Sequence, residues 1–249
     1  MSGYGAFSES YDALMGNVDY KSIADIYDKL IKEHSLIEPK TLLDVACGTG
    51  NLTFLLNDMG YDITAVDISE EMLMKAFEKK MQLQADDVLL LCQDMTEIDL
   101  NDTVDAAVCS LDGINHLTCE EDLLRAFQRI SLFLNKGGVF VFDANTVYKH
   151  REVLGNNSFL IDGEDIFCAW QNTLYADDVV GISLNIFKKD YSGKYQRDTE
   201  YFEERAYTLK ALVSAGEKSG LHFVGEFDEK TLGEPKIHTE RNYYVFRKI

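Results

Sequence analysis

In "TLLDVACGTGNLT", residues 41–53, an apolar run interrupted by Asp44 ends in Gly48 and Gly50, with only Thr49 between them. Apolar residues resume in "NLTFLLNDMG" at helical spacing, and Gly60 is placed to end that helix. The stretch reads as a strand, a turn and a helix, the first unit of an α/β sheet. Either the turn is simply tight, or a ligand needs bare backbone there.

The pattern extends in both directions. Upstream, Ile23, Ile26, Tyr27, Leu30 and Ile31 recur at helical spacing, and Pro39 closes the segment. Downstream, "DITAVD" reads as a strand, and Ser69 caps a helix carrying Met72, Leu73, Ala76 and Phe77. "DVLLLCQD" and "VDAAVCS" are further strands, a helix lies between Cys119 and Asn135, and "GGVFVFD" is a fifth strand. Apolar strands alternating with helices indicate a parallel sheet covered on both faces.

Residues 156–206 differ. "DIFCAWQNTLYADD", "VVGISLNIFKKD" and "KYQRDTEYFEER" are rich in β-branched and aromatic residues, and "YSGK" is a hairpin signal. They read as an antiparallel β insertion after the fifth strand. A helix from Thr208 to Ser219 and the strands "LHFVGEF" and "NYYVFRK" complete the chain. The expected organisation is one unit over 1–249. It has a helical arm (1–38), a ligand-binding core (39–150), a β insertion or lid (151–206) and the end of the core (207–249).

A net charge of -19 over 249 residues repels polyanions, which argues against nucleic acid and acidic membranes as partners. The five cysteines form no C-x-x-C pair and read as reduced packing residues, so neither a disulfide frame nor a metal site is expected. The N-terminus lacks a basic region followed by an apolar stretch, and no run of about 18 apolar residues exists. A cytoplasmic protein is expected.

In a doubly wound sheet, ligands sit beyond the carboxyl ends of the strands. Asp67 ends the second strand and Asp94 follows the third, on the edge that carries the glycines. Asp67 can accept from both hydroxyls of a ribose, and Asp94 from the exocyclic amine of a base. Each could instead be a capping or loop residue, but polar groups at three strand ends in register favour a ligand. A dinucleotide site wants a third glycine where this chain has Thr53. Asp44 would repel phosphate and suits an ammonium. The ligand described is ribose, base and ammonium without phosphate.

That description and five segments together carry a resemblance. "LLDVACGTG", "VDIS", "CQDM", "VDAAVCSLDGINHL" and "GGVFVFD", spanning residues 42–143, resemble the class I S-adenosylmethionine-dependent methyltransferases. Ala46 stands where many members have a glycine. The resemblance implies a doubly wound, seven-stranded mixed sheet of Rossmann-like type with an antiparallel last strand, and S-adenosyl-L-methionine as cofactor. It also implies roles. Asp44 and the backbone of Ala46, Cys47, Gly48 and Gly50 would hold the methionine portion. Asp67 would take the ribose, with Ile68 against the adenine, and Asp94 and the Met95 amide would bind the adenine edge. Cys109, Ser110 and Leu111 would line the sulfonium. "YGAFSESYDALM" looks like the arm that closes over the cofactor in small bacterial methyltransferases, where Tyr4, Phe7 and Tyr11 are either contacts or core packing.

Methyl transfer from a sulfonium is an in-line displacement that requires alignment and exclusion of water. A base is needed only if the acceptor must lose a proton, and Asp112 and His116 are the candidates. His116 reads more readily as a loop or helix-start histidine than as a base. The acceptor would be a small molecule, met by Asn145 and Tyr148 after the fifth strand and by Trp170 and Tyr175 in the insertion. Trp170 could instead be the insertion's own core. Acceptor identity and oligomeric state stay open. A NAD-dependent oxidoreductase is disfavoured by Thr53 and Asp44, and a nucleic-acid methyltransferase by charge and by "CSLDG" in place of an N/D-P-P-Y-like motif. A non-catalytic S-adenosylmethionine-binding module remains as the other alternative.

Overall fold

The computed structural model describes residues 11–249, so Tyr4 and Phe7 lie outside the described residues. Helix α1 (Tyr20–His34) begins at Asp19, whose carboxylate accepts from the Ser22 amide at 3.1 Å. It buries Ala24, Tyr27, Leu30 and Ile31, the stripe expected from helical spacing. There follow β1 (Thr41–Val45), α2 (Asn51–Asp58), β2 (Asp62–Asp67), α3 (Glu70–Leu83) and β3 (Val88–Cys92). Then come β4 (Val104–Cys109), α4 (Glu120–Phe133) and β5 (Leu134–Asn145). Ser69 caps α3 as its sequence context predicts, accepting from the Met72 amide at 3.2 Å.

After a short π-helical segment (Lys149–Leu154) the chain forms β6 (Ser158–Asp162), β7 (Ile166–Leu174), β8 (Val179–Lys189) and β9 (Tyr195–Arg205). It ends with α5 (Leu209–Lys218), β10 (Leu221–Asp228) and β11 (Arg241–Lys248).

Two sheets result. The seven-stranded sheet runs β10-β11-β5-β4-β1-β2-β3. Its pairs from β1 to β5 are parallel, and β11 runs antiparallel to both β5 and β10. The chain winds outward through β2 and β3, then crosses to place β4 on the other side of β1. The order therefore reverses between β1 and β4, where such sheets open a crevice. Val45 pairs with Val66 on one side and Cys109 on the other, so these three strands end together at that crevice.

Alternate residues of the sheet feed two cores. On one face Phe140, Phe142 and Phe246 pack with α4, and Phe127 meets all three edge-on at 5.4–5.6 Å between ring centroids. On the other face Leu42, Ile63, Ala106, Val108 and Val141 pack with Tyr27 and Leu30 of α1 and Leu52 and Leu56 of α2. Strands covered on both sides read as continuous apolar runs for this reason.

The second sheet, β6-β7-β8-β9, is antiparallel throughout. Its β8–β9 hairpin turns at "YSGK", where Asp190 accepts from the Ser192 and Lys194 amides at 2.8 and 3.0 Å.

Three local expectations are corrected. The insertion has a fourth strand, β6, within "NNSFLIDG", a segment too short and exposed to show an alternating signal. Helix α4 stops at Phe133 and leaves out Leu134, whose spacing places it on the helix's inward face, because Leu134 already pairs with Val104 in the sheet. Phe77 is 54% exposed on α3, since only Met72, Leu73 and Ala76 face the sheet.

Helix α5 approaches the sheet at Gly216, where an added Cβ would lie 2.4 Å from the ring of buried Phe246. Gly216→Ala should therefore lower stability by about 1–3 kcal/mol, with the alanine's gain in helix propensity offsetting only part. Urea unfolding monitored by circular dichroism measures it, and an equal or raised midpoint would refute the close packing.

Candidate active site

The turn after β1 is left-handed at three places: Ala46 (φ 56°), Gly48 (φ 56°) and Gly50 (φ 79°). Glycine adopts this conformation freely, and Ala46 does so at a steric cost of about 1–2 kcal/mol. At Gly48 a Cβ would meet nothing within 4 Å, so the backbone faces open space. Asp67 fastens the turn from the end of β2, accepting from the Gly48 amide at 2.8 Å and from the Ser69 amide at 2.8 Å.

Beside this turn lies a cavity of about 280 Å³. Its floor contains Ala46, Cys47, Gly48, Asp67 and Ile68, and its far side Ser110, Leu111, Asp112 and His116. Met95 and Trp170 also line it, and so does Tyr11 from the arm. An adjoining recess of about 420 Å³ shares Asp67 and Ile68 and adds Gln93 and Asp94. One Asp94 oxygen accepts from the Thr96 amide and hydroxyl, both at 2.8 Å. Ile68 is 56% exposed there, an apolar surface suited to a flat base.

The arm and the second sheet close the cavity from above. Asp12 accepts from the Thr49 hydroxyl at 2.7 Å and pairs with Lys79 at 2.7 Å, which docks the arm on the glycine turn. Leu14 packs into the core of the four-stranded sheet beside Trp170 and Phe202. That sheet presents Ile161, Cys168, Ile182 and Leu184 to the cavity, an apolar ceiling.

Several expected residues stand elsewhere. Asp44 is buried beneath the turn, where Oδ2 accepts from the Thr53 hydroxyl at 2.6 Å. Its Oδ1 has no hydrogen bond among the described residues, and burial pushes the carboxyl up to about 7. Thr53, in the third-glycine position, thus serves Asp44 rather than a pyrophosphate. Gly50 sits in the turn between two residues of the cavity wall, and the Cys109 side chain is buried against Gly113. Asn145 is buried at the end of β5, with Lys149 donating to its side-chain oxygen at 2.7 Å. Tyr148 packs tilted against His238, and Tyr175 lies half-exposed against Gly181, so neither reaches the cavity wall. The Trp170 indole donates to Asn172 within its own strand and packs on Phe159 while lining the cavity.

Three residues at or beside the cavity were not read from the sequence. Glu204 lines the cavity although it is 6% exposed. Burial, reinforced by the Asp112 charge, raises it to about 8, so it carries a proton at neutral pH. The available signal was the pair Glu200 and Glu204 on the Phe202 face of β9, acids at inward positions. Arg241 donates to Asp112 at 2.8 Å and to Asp143 at 2.5 Å from the start of β11. Burial opposes ionisation of Asp112, but Arg241, with Lys149 and His116, outweighs it and keeps the carboxyl below its usual range. Burial lowers His116, with Asp112 opposing, so its imidazole is neutral at pH 7. Nothing local in the sequence joins Arg241 or Asp143 to this site.

The sequence profile of the Methyltransferase domain family matches residues 42–138. YqeM of Bacillus subtilis (strain 168), named as a methyltransferase, is 31% identical over 246 residues, covering 98% of this chain and 97% of its own. The chain belongs to the S-adenosylmethionine-dependent methyltransferases.

A solved S-adenosylmethionine-dependent methyltransferase from Clostridium acetobutylicum ATCC 824 is 34% identical, with a TM-score of 0.88 and 98% of each chain covered. CalS10, an amino pentose methyltransferase from Micromonospora echinaspora solved with S-adenosylmethionine bound, shares the fold at 20% identity. It has a TM-score of 0.76 and covers 98% of this chain and 97% of its own. The methyltransferase uses S-adenosylmethionine, and the oxidoreductase reading is not favoured. The turn fits this cofactor: bare backbone at Gly48, an orphaned carboxylate oxygen on Asp44 and an apolar Ile68 beside Asp94.

Asp67→Ala in this methyltransferase should weaken S-adenosylhomocysteine binding at least about tenfold, given charge-assisted bonds of about 1.5–3 kcal/mol. Calorimetry on the folded variant is the measurement, and unchanged affinity would leave Asp67 only its bonds to the turn.

A second expectation concerns pH. Glu204 is proton-bound in the folded chain where the unfolded chain has released the proton, so its contribution is lost as pH rises toward and through about 8. Glu204→Gln cannot ionise. Relative to the wild type, it should gain on the order of 1–2 kcal/mol in urea unfolding between pH 6 and 8.5. A constant difference would contradict the raised value.

Proposed function

We propose that this enzyme transfers the methyl group of S-adenosylmethionine to a small-molecule acceptor bound between the glycine turn and the four-stranded sheet. The observation that carries the reading is the single cavity running from Gly48 and Asp67 to Trp170 and Glu204. S-adenosylmethionine supplies a methyl group already activated on a sulfonium, so the chain's task is alignment and exclusion of water.

The residues divide the work by position. Asp67 accepts from the ribose hydroxyls through lone pairs that the Gly48 and Ser69 amides leave available. Asp94 and the Met95 amide read the adenine edge in the adjoining recess, and Ile68 covers its face. The backbone from Ala46 to Gly50 carries the methionine portion, with the Asp44 carboxyl beneath, which a neighbouring ammonium holds ionised. The segment from Cys109 to Leu111 borders the reacting centre.

The arm and the antiparallel sheet act as a two-part lid. Apolar side chains from Leu14, Ile161, Trp170 and Leu184 keep water from the acceptor side. The chain then works as one unit: arm over 1–38, cofactor core over 39–150, lid over 151–206 and the end of the core over 207–249. The net charge of -19 supports a small acceptor over a nucleic acid.

The test pairs calorimetry with an assay of S-adenosylhomocysteine release across a small-molecule library. Wild type should bind S-adenosylhomocysteine and turn over with at least one acceptor. Trp170→Ala should keep cofactor affinity within about twofold while kcat/KM for that acceptor falls about tenfold or more. Loss of cofactor affinity in a folded Trp170→Ala variant would assign the four-stranded sheet to the cofactor site, and absence of S-adenosylhomocysteine binding would overturn the proposal.

A further inference from the structure

Two carboxyl groups meet on the acceptor side of the cavity. Asp112, at the head of the Gly113–His116 turn, and Glu204, near the end of β9, both line it. Arg241 takes Oδ2 of Asp112 at 2.8 Å. The Oδ1 atom is buried and makes no hydrogen bond among the described residues. A buried anionic oxygen without a donor is unfavourable unless a ligand supplies one. The surrounding wall, with Ile161, Trp170, Leu184 and Phe202, is apolar.

We infer that this end of the cavity takes an amine carried on an apolar body, its N–H groups donated to Asp112 and Glu204. Granted the methyl-transfer reading on which this rests, the charges fit an amine better than a hydroxyl. The amine lone pair forms the new N–C bond while the bond from methyl carbon to sulfur breaks, and that bond's electron pair goes to sulfur. An ammonium has no lone pair, so the amine reacts in its neutral form, having given its proton to bulk water before it enters the cavity. The positive charge that began on sulfur then ends on the methylated nitrogen, and no proton leaves during the displacement itself. Asp112 places a fixed negative charge where that positive charge arrives. Glu204 keeps its proton at neutral pH, and its carbonyl oxygen still accepts from an N–H.

A hydroxyl acceptor must instead hand its proton to a base as the bond forms. Glu204 already holds a proton, Arg241 makes Asp112 a weak base, and burial weakens His116.

Matched probes test this on the full chain saturated with S-adenosylhomocysteine. They are 2-phenylethylamine against 2-phenylethanol, benzylamine against benzyl alcohol, and tryptamine against tryptophol. In calorimetry at least one amine should bind about tenfold or more tightly than its alcohol. With S-adenosylmethionine in place, mass spectrometry should find the N-methylated product. Asp112→Asn removes the charge and keeps the shape. It should reduce the preference to about threefold or less, with S-adenosylhomocysteine affinity within about twofold of wild type.

If no amine binds more tightly than its alcohol, or if folded Asp112→Asn keeps the full preference, the amine assignment is overturned. The wild-type pairs decide the matter even where the variant does not fold. Failure to saturate with S-adenosylhomocysteine in the first step would strike the methyl-transfer reading instead, so the two failures are distinguishable.

Discussion

The carboxylate of Asp143, at the carboxyl end of β5, holds the active-site edge together. It is 1% exposed and accepts from the Tyr27 hydroxyl at 2.6 Å, the Leu111 amide at 2.8 Å and Arg241 at 2.5 Å. One side chain thus ties α1, the loop after β4 and the last strand to the centre of the sheet. The loop needs this. Leu111 (φ 51°) and Asp112 (φ 69°) are consecutive non-glycine residues in the left-handed region, each at a cost of about 1–2 kcal/mol. That conformation aims the Leu111 amide at Asp143, and Arg241 then spans Asp143 and Asp112. Removing one member of such a buried charged set typically costs about 3–5 kcal/mol, because the partners are left uncompensated.

The same set of charges decides which acid is ionised. Asp112 and Glu204 are both buried beside one cavity, yet they differ in protonation at neutral pH. Asp112 has the Arg241 guanidinium at 2.8 Å, whereas Glu204 faces His150 at 3.8 Å, an imidazole that burial keeps neutral. Desolvation acts on both, and an adjacent cation reverses it for one only. Two carboxyl groups with different protonation states therefore arise from their neighbours, a division common where acid–base or charge chemistry is performed.

The closure over the site is built from parts far apart in the chain. Asp12 reaches Thr49, Asn51 and Lys79, while Leu14 enters the apolar core of the antiparallel sheet. The arm therefore bridges the glycine turn and the antiparallel sheet on the two sides of the cavity.

Much of this was legible locally. Strand, glycine turn, capped helix and the carboxylate ending β2 are short-range patterns, and each is governed by backbone sterics or by a bond to a residue nearby. The glycine turn, Asp67 and the hairpin at residues 191–194 could be placed from the sequence for that reason. What the sequence did not show has the opposite character. Tyr148 and Tyr175 are aromatic and near the right loops, but side-chain direction is set by packing on His238 and Gly181, which spacing does not encode. Glu204, Asp143 and Arg241 stand 59, 98 and 129 residues from their partners in the site. The sequence by itself determined the sheet, the turn and the cofactor-binding edge, because these follow from periodicity and local bonds. Only the tertiary structure decided which acids line the cavity and which of them is charged, because protonation depends on burial and on cations delivered by distant strands.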